Sequence, residues 1–123
     1  MSLLGMFHQK PKVPEITAAE LKARLDAGEK LILIDVREPR ERAVSLIAGS
    51  VHIPVGEVAQ RLDEVKKIST AQPGAAIVTY CKGGVRSAVA ADVLLKNGFD
   101  KVLNLQGGII AWARTVEPGM PVG

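Results

Sequence analysis

The stretch AAIVTYCKGGVRSAVAADVLLKNGF, residues 75–99, decides the fold of this 123-residue chain. It opens with a short apolar run, residues 75–80, which is typical of a strand that is buried on both faces of a parallel sheet. A loop with two adjacent glycines follows, and residues 87–97 then place alanine and leucine side chains at helical spacing. Gly98 predicts the end of this helix. The stretch is therefore predicted to form one strand–loop–helix unit of an α/β protein.

The same alternation of strand and helix signals continues on both sides of this stretch. Residues 31–36, LILIDV, and residues 101–105, KVLNL, are apolar runs that predict two further buried strands. Weaker signals predict a short strand at residues 51–54 and helices at residues 17–28, 38–45 and 58–68 and after Gly107-Gly108. Short buried strands that alternate with helices predict an open, mainly parallel sheet with helices on both faces.

The length of the chain predicts a single domain, because 123 residues are too few for two ordinary domains. We expect this domain to occupy residues 15–118. Residues 1–14 are expected to form a mobile N-terminal lead-in, and residues 119–123 a C-terminal tail. The lead-in contains Pro11 and Pro14, which favour an extended backbone in the residues that precede them.

Composition and charge exclude several classes of protein. A hydrophobic fraction of 47% with 24% charged residues is typical of a globular protein rather than a disordered one. The net charge of only +3 and the aromatic fraction of 3% argue against a nucleic-acid partner. No apolar run approaches the about 20 residues that a membrane span requires, and no secretion signal stands out. We therefore expect a cytoplasmic protein with neither a nucleic-acid nor a membrane partner.

Neither a metal site nor a cofactor site is predicted. Cys81 is the single cysteine, which excludes an intramolecular disulfide and a cysteine-based zinc cluster and fits a reducing compartment. His8 and His52 lie 44 residues apart and give no metal-ligand spacing. Because His52 has apolar neighbours in a predicted strand, we interpret it as a structural histidine.

The loop that follows residues 75–80 carries the candidate chemistry. Ligands of open α/β sheets bind beyond the carboxyl ends of the strands, where Cys81 is expected to lie. We expect Gly83 and Gly84 to adopt positive φ angles, so that successive backbone N–H groups face one point. The helix that begins near Ser87 adds its positive end, and the two basic side chains of the loop add charge. All of these features favour the thiolate of Cys81 over the thiol.

Two further side chains are predicted at the same edge of the sheet. Asp35 ends the apolar run 31–36 with Val36, and Arg37 follows it. We expect Asp35 and Arg37 to hold the junction between strand and loop by hydrogen bonding and ion pairing. They are therefore predicted to support the site rather than to react.

Four motifs, in order along residues 15–115, resemble the signatures of the rhodanese-like family of sulfurtransferases. They are DVREPRE (35–41), AGSVHIP (48–54), YCKGGVRSAVAADVLLKNGF (80–99) and VLNLQGGIIAW (102–112). The resemblance implies that Cys81 is the catalytic nucleophile and that it carries sulfur as a persulfide. It also implies that the transferred sulfur is bound by the rest of the loop: Lys82, Gly83, Gly84, Val85, Arg86 and Ser87.

The function that this resemblance implies is that of a sulfurtransferase similar to thiosulfate sulfurtransferase. Sulfane sulfur would move from a small anionic donor, thiosulfate or another persulfide donor, through Cys81 to a thiol, cyanide or a protein acceptor. A sulfur carrier or a non-catalytic rhodanese-like binding domain is the alternative. The chain departs from the family at Ser45-Leu46-Ile47-Ala48, where Gly-His-Ile-Pro is usual.

Loop length argues against the remaining alternative, a phosphatase or an arsenate reductase. Related enzymes of those classes wrap a tetrahedral oxyanion with a Cys-x5-Arg loop. Here four residues separate Cys81 from Arg86. We expect this shorter loop to fit one sulfur atom.

Overall fold

The structure, a computed structural model, describes residues 10–122; residues 1–9, which include His8, and residue 123 lie outside this range. The described chain alternates short strands with helices. The strands are β1 (Glu15–Ile16), β2 (Leu31–Asp35), β3 (Val51–His52), β4 (Ala76–Tyr80) and β5 (Val102–Leu105). The α-helices are α1 (Ala18–Asp26), α2 (Pro39–Val44), α3 (Leu62–Ala71), α4 (Val85–Lys96) and α5 (Gly108–Thr115), and a 3₁₀ helix spans Val55–Gln60.

The five strands form one parallel sheet in the order β1-β5-β4-β2-β3, which confirms the predicted α/β fold. The three predicted apolar runs are its central strands β2, β4 and β5. Strand β1 was not predicted as a strand. It consists of only two residues, in register with Asn104 and Leu105 of β5, and its local sequence indicates no more than an extended chain. The segment before it also contacts the domain, because the carbonyl of Pro14 accepts a hydrogen bond from the N–H of Asn104.

The helix boundaries follow local signals with two exceptions. Helix α1 begins at the predicted capping box, in which Thr17 and Glu20 exchange hydrogen bonds. Helix α4 begins at Val85, two residues before the predicted start. The single helix predicted at residues 58–68 is two elements, the 3₁₀ helix and α3, because the backbone of Arg61 (φ −115°, ψ 26°) is not helical.

Two apolar clusters cover the two faces of the sheet, which explains why the central strands are apolar without alternation. On one face Ile32, Ile34 and Ile77 pack with residues of the 3₁₀ helix, α3 and α4. On the other face Leu33 and Val78 pack with residues of α1 and α5. Between residues 10 and 122, no helix is long and apolar enough to cross a membrane.

The carboxyl ends of β2 and β4 place the candidate residues side by side. Asp35 at the end of β2 is in register with Tyr80 at the end of β4. The loop that begins with Cys81 therefore starts next to the segment of Asp35 and Arg37, at the edge where α/β sheets bind ligands.

Candidate active site

Three hydrogen-bond donors converge on the sulfur of Cys81. The N–H of Gly84 donates to Sγ at 3.1 Å, and the N–H of Ser87 donates at 3.4 Å. The hydroxyl of Ser87 donates at 3.2 Å. Cys81 itself is only 2% exposed. A sulfur anion at this position is therefore surrounded by fixed donors, which stabilise negative charge without reorganisation.

The curl of the loop depends on one glycine rather than two. Gly84 has a φ of +107°, in the region that side chains rarely adopt, whereas Gly83 does not lie in the left-handed region. The expectation of positive φ at both positions was therefore wrong for Gly83. A single left-handed residue directly before α4 is sufficient to turn the Gly84 N–H toward the sulfur.

The N-terminus of α5 holds the loop from the opposite side. Ile109 N–H donates to the Cys81 carbonyl at 2.9 Å, and Ile110 N–H donates to the Lys82 carbonyl at 3.2 Å. Gly108, with a φ of +59°, permits this approach, because a Cβ atom on it would lie 2.3 Å from the Lys82 carbonyl oxygen. The loop carbonyls thus face α5, which leaves the N–H groups to face the sulfur. From the sequence, Gly107-Gly108 indicated only a turn between strand and helix.

Two buried polar side chains of the sheet also hold the loop. Asn104 Nδ2 donates to the Gly84 carbonyl at 3.0 Å and to Glu15 Oε2 at 3.0 Å. Thr79 Oγ1 donates to the Ser87 carbonyl at 2.9 Å. Neither residue was predicted as part of the site, although an asparagine inside the apolar run KVLNL was a usable signal, because buried polar groups require partners.

Arg86 is engaged by a carboxylate. Its two terminal nitrogens donate to Glu41 Oε1 at 2.7 Å and to Oε2 at 2.8 Å. Arg86 was expected to add its charge to the loop, and this charge is paired with Glu41. The hydrogen bonds from Arg86 lower the pKa of Glu41 to about 2, so the pair stays ionised at neutral pH. Lys82, by contrast, is exposed and forms no ion pair with residues 10–122.

Asp35 and Arg37 form the predicted ion pair, and both are fully buried. Arg37 Nε and Nη2 donate to the two carboxylate oxygens of Asp35 at 3.0 and 2.9 Å. The backbone N–H of Arg37 donates to Asp35 Oδ1 at 3.0 Å, and Arg42 adds a further hydrogen bond at 3.1 Å. Burial alone would raise the pKa of Asp35, but the hydrogen bonds from Arg37 and Arg42 more than offset it and lower the pKa. His52 Nε2 lies 2.7 Å from the Arg37 carbonyl oxygen, which agrees with a structural histidine.

The segment that replaces Gly-His-Ile-Pro is held by backbone hydrogen bonds and by the buried side chain of Ile47. The Ser45 carbonyl accepts a hydrogen bond from Arg37 at 2.6 Å, and the Ile47 N–H donates to the Tyr80 hydroxyl at 3.2 Å. Leu46, at the position of the usual histidine, is 39% exposed. Because these hydrogen bonds use main-chain atoms, they do not depend on which side chain occupies position 46.

Within residues 10–122, no cluster of three His, Cys, Asp or Glu side chains could hold a metal ion.

Known proteins are similar to this chain in sequence and in fold. Residues 17–115 match the rhodanese-like domain family. A sulfurtransferase of Allochromatium vinosum is 37% identical over 110 residues, which cover 89% of this chain and 94% of that protein. The probable adenylyltransferase/sulfurtransferase MoeZ of Mycobacterium tuberculosis is 42% identical over 91% of this chain, but this chain spans only 28% of MoeZ.

Solved structures agree with these matches. The rhodanese-like domain protein from Staphylococcus aureus superposes with a TM-score of 0.73 at 30% identity, over 90% of this chain and 99% of that one. From the family match and the near full-length similarity to a sulfurtransferase, we conclude that the chain belongs to the rhodanese-like domain family.

Proposed function

We propose that the chain is a sulfurtransferase that takes sulfane sulfur from a donor onto Cys81 and passes it, as a persulfide, to a thiol, cyanide or protein acceptor. The observation that carries this proposal is the convergence of three donors on the one sulfur of Cys81, from the N–H groups of Gly84 and Ser87 and the Ser87 hydroxyl. A lone thiol also fits work in the reducing cytoplasm, which we propose as its compartment.

The reaction consists of two displacements that need no external oxidant. In the first, the Cys81 thiolate attacks the outer sulfur of the donor. The bond between the two donor sulfurs breaks, and its electron pair leaves on the inner sulfur with the rest of the donor molecule. In the second, the acceptor attacks the outer sulfur of the persulfide, and the Cys81 thiolate is restored. Negative charge develops on sulfur in both steps, so fixed N–H and O–H donors lower both barriers.

The loop residues have different parts in this proposal. Gly84 and Ser87 bind the sulfur, and Gly83 is an exposed link between Lys82 and Gly84. Lys82 is a mobile point charge that attracts an anionic donor. Val85 is exposed and forms part of the entrance. Arg86 acts through Glu41 as a link between α4 and α2, with no direct hydrogen bond to the sulfur.

The geometry favours sulfur transfer over phosphate chemistry. The three donors already lie within 3.1 to 3.4 Å of a single atom. A phosphate above the thiol would need donors spread around three oxygens. The Arg86 guanidinium, which would bind an oxyanion, is also occupied by Glu41.

The test is sulfur loading followed by mass spectrometry. We expect the wild-type protein to gain the mass of one sulfur atom from a sulfane donor and to lose it to cyanide or a thiol over many turnovers. Cys81→Ser should gain none. A protein that loads sulfur but turns over only once is a carrier. Faster hydrolysis of an aryl phosphate than any sulfur transfer, lost in Cys81→Ser, would support the phosphatase instead.

A second prediction tests the support from Asn104. Asn104→Leu leaves the Gly84 carbonyl without its side-chain partner, which costs about 1–3 kcal/mol of stability. We expect the rate of sulfur loading to fall on the order of tenfold beyond any effect of unfolding, since the direction of the Gly84 N–H is no longer fixed. Loading rates are measured well below the unfolding temperature, with thermal unfolding recorded for each variant.

Asn97→Leu is the matched control. Asn97 is exposed, and its side chain also donates to a backbone carbonyl, that of Val93 at 2.7 Å. This control should keep the wild-type loading rate. If Asn104→Leu loaded sulfur as fast as Asn97→Leu, the support from Asn104 would be unimportant for the reaction.

A further inference from the structure

We propose that Glu41 is a specificity-determining residue: by engaging Arg86, it makes the site favour organic persulfides with an uncharged body over the thiosulfate dianion. This inference rests on the proposed function and names the class of sulfur donor. It combines the charge arrangement around the loop with the exposed apolar side chains of α2 and α4.

The first observation is that the one guanidinium of the loop already holds a carboxylate. The two terminal nitrogens of Arg86 each donate to one oxygen of Glu41, in the bidentate geometry that a guanidinium also uses for a sulfonate or phosphate. A sulfonate group would have to displace an intramolecular partner to take that place. Glu38, on the same turn, adds a second negative charge that acts on Arg86.

The second observation is that few other cations are available to a doubly charged donor. Arg37 is buried against Asp35, and Arg42 donates to Asp35 and to Ser50. Within the loop this leaves Lys82, which forms no ion pair with residues 10–122. Arg40 is also exposed, on α2 next to Glu41. Within the loop, a thiosulfate ion therefore meets only the point charge of Lys82, and the exposed guanidinium of Arg40 lies outside the loop on α2.

The third observation is a set of exposed apolar side chains on the two helices that the ion pair joins. Val85 is 51% exposed, and Val89, one helical turn further along α4, is 41% exposed. Val44, one turn after Glu41 on α2, is 45% exposed. The ion pair between Glu41 and Arg86 joins these two helices. A donor with an organic body can cover these side chains, whereas thiosulfate has no apolar part.

The favoured loading step is balanced as follows. The Cys81 thiolate attacks the outer sulfur of R–S–SH, a Sγ–S bond forms, and the S–S bond of the donor breaks. The electron pair and the negative charge leave on R–S⁻, which gives Cys81–S–SH and a thiolate. With thiosulfate the same displacement releases the sulfite dianion, so the entrance must hold two negative charges beside Glu41 throughout.

The experiment compares three donors on wild type and Glu41→Gln. The donors are thiosulfate, the persulfide of N-acetylcysteine, and the persulfide of its methyl ester, which has an uncharged body. Glutamine keeps a hydrogen bond to Arg86 but removes the charge. Removal of one charge at about 10 Å from a dianion, with an effective dielectric constant of about 40 at this exposed entrance, corresponds to a change on the order of tenfold.

We expect kcat/KM of the wild type to be highest for the methyl ester persulfide and lowest for thiosulfate. Glu41→Gln should raise kcat/KM for thiosulfate on the order of tenfold and leave that for the methyl ester persulfide within about twofold. The ratio between variant and wild type cancels the intrinsic reactivity of each donor. Glu29→Gln is the control, because it also removes a carboxylate that is paired with an arginine, Arg24. Glu29 lies just before the amino end of β2, whereas the site lies at the carboxyl ends of the strands.

The outcomes separate this inference from the proposed function. If no donor places sulfur on Cys81, the proposed function fails. If sulfur is loaded but kcat/KM of the wild type is highest for thiosulfate, the specificity assigned to Glu41 is wrong. It is also wrong if Glu41→Gln changes kcat/KM for all three donors by the same factor. Equal effects of Glu29→Gln and Glu41→Gln would also overturn it, because they would reflect only the net charge.

Discussion

Gly108→Ala is expected to reduce sulfur transfer by on the order of a hundredfold or more. The φ of Gly108 is +59°, and an added Cβ would lie 2.3 Å from the Lys82 carbonyl oxygen and 2.6 Å from that of Cys81. The methyl group therefore pushes the loop away from α5 and moves the donors of the sulfur, and a displacement of about 1 Å can cost on the order of a hundredfold in rate. The measurement is the rate of sulfur turnover with a sulfane donor and cyanide.

Gly28→Ala separates the displacement of the loop from backbone strain. Gly28 also has a positive φ, +81°, but a Cβ atom there would meet nothing within 4 Å. Both variants should lose stability through strain, about 1–2 kcal/mol for a left-handed alanine, and both are assayed below their unfolding temperatures. If Gly108→Ala remained as active as Gly28→Ala, contact with α5 would not position the loop.

The largest loss of stability is expected from Asp35→Asn. This change leaves Arg37 fully buried opposite a neutral amide and removes the charged partner of Arg42. Loss of one partner of a buried ion pair costs about 3–5 kcal/mol, a large fraction of the about 5–15 kcal/mol that stabilises an ordinary domain. The free energy of unfolding, measured with urea for wild type and variant, checks this expectation.

The pH dependence and a control sharpen this test. Because the pKa of Asp35 is lowered in the folded protein, its ionised form stabilises the fold above the unfolded value of about 3.9, and this contribution is lost as pH falls through the lower folded pKa. The difference between wild type and Asp35→Asn should therefore shrink in acid. Asp26→Asn, which removes an exposed ion pair with Lys22, should cost at most about 1 kcal/mol at any pH.

The parts of the fold that could be predicted from sequence are those with local signals. The run 31–36 is apolar at nearly every position because β2 is covered on both faces, and the capping box at Thr17 and Glu20 needs only residues within one turn. The position of Cys81 directly after β4 also follows from local sequence. Strand β1 could not be predicted in this way, because two residues carry too little pattern and their pairing with β5 is distant in the chain.

The difference between local signals and contacts distant in the chain also explains which parts of the candidate site could be predicted. The donors from Gly84 and Ser87 lie within six residues of Cys81, so loop sequence was sufficient to predict their convergence. Glu41 lies 45 residues from Arg86, and Asn104 lies 20 residues from Gly84, so no spacing rule connects them. The prediction of a positive φ for Gly83 was wrong because two adjacent glycines permit several loop conformations. The start of α4 at Val85 selects the conformation in which only Gly84 is left-handed.

The hydrogen bonds from Ile109 and Ile110 to the carbonyls of Cys81 and Lys82 have a consequence for the order of events during synthesis. A ribosome releases the chain from the N-terminus onward, so the cysteine emerges well before the turn that starts α5. Until that turn has emerged and docked, nothing directs the two carbonyls away from the thiol. The nascent chain therefore carries an ordinary cysteine, and the sulfur acquires its arranged donors only when β5 and α5 complete the sheet and its cover. A chain that stalls or unfolds at this last step therefore lacks the arranged donors around the Cys81 sulfur.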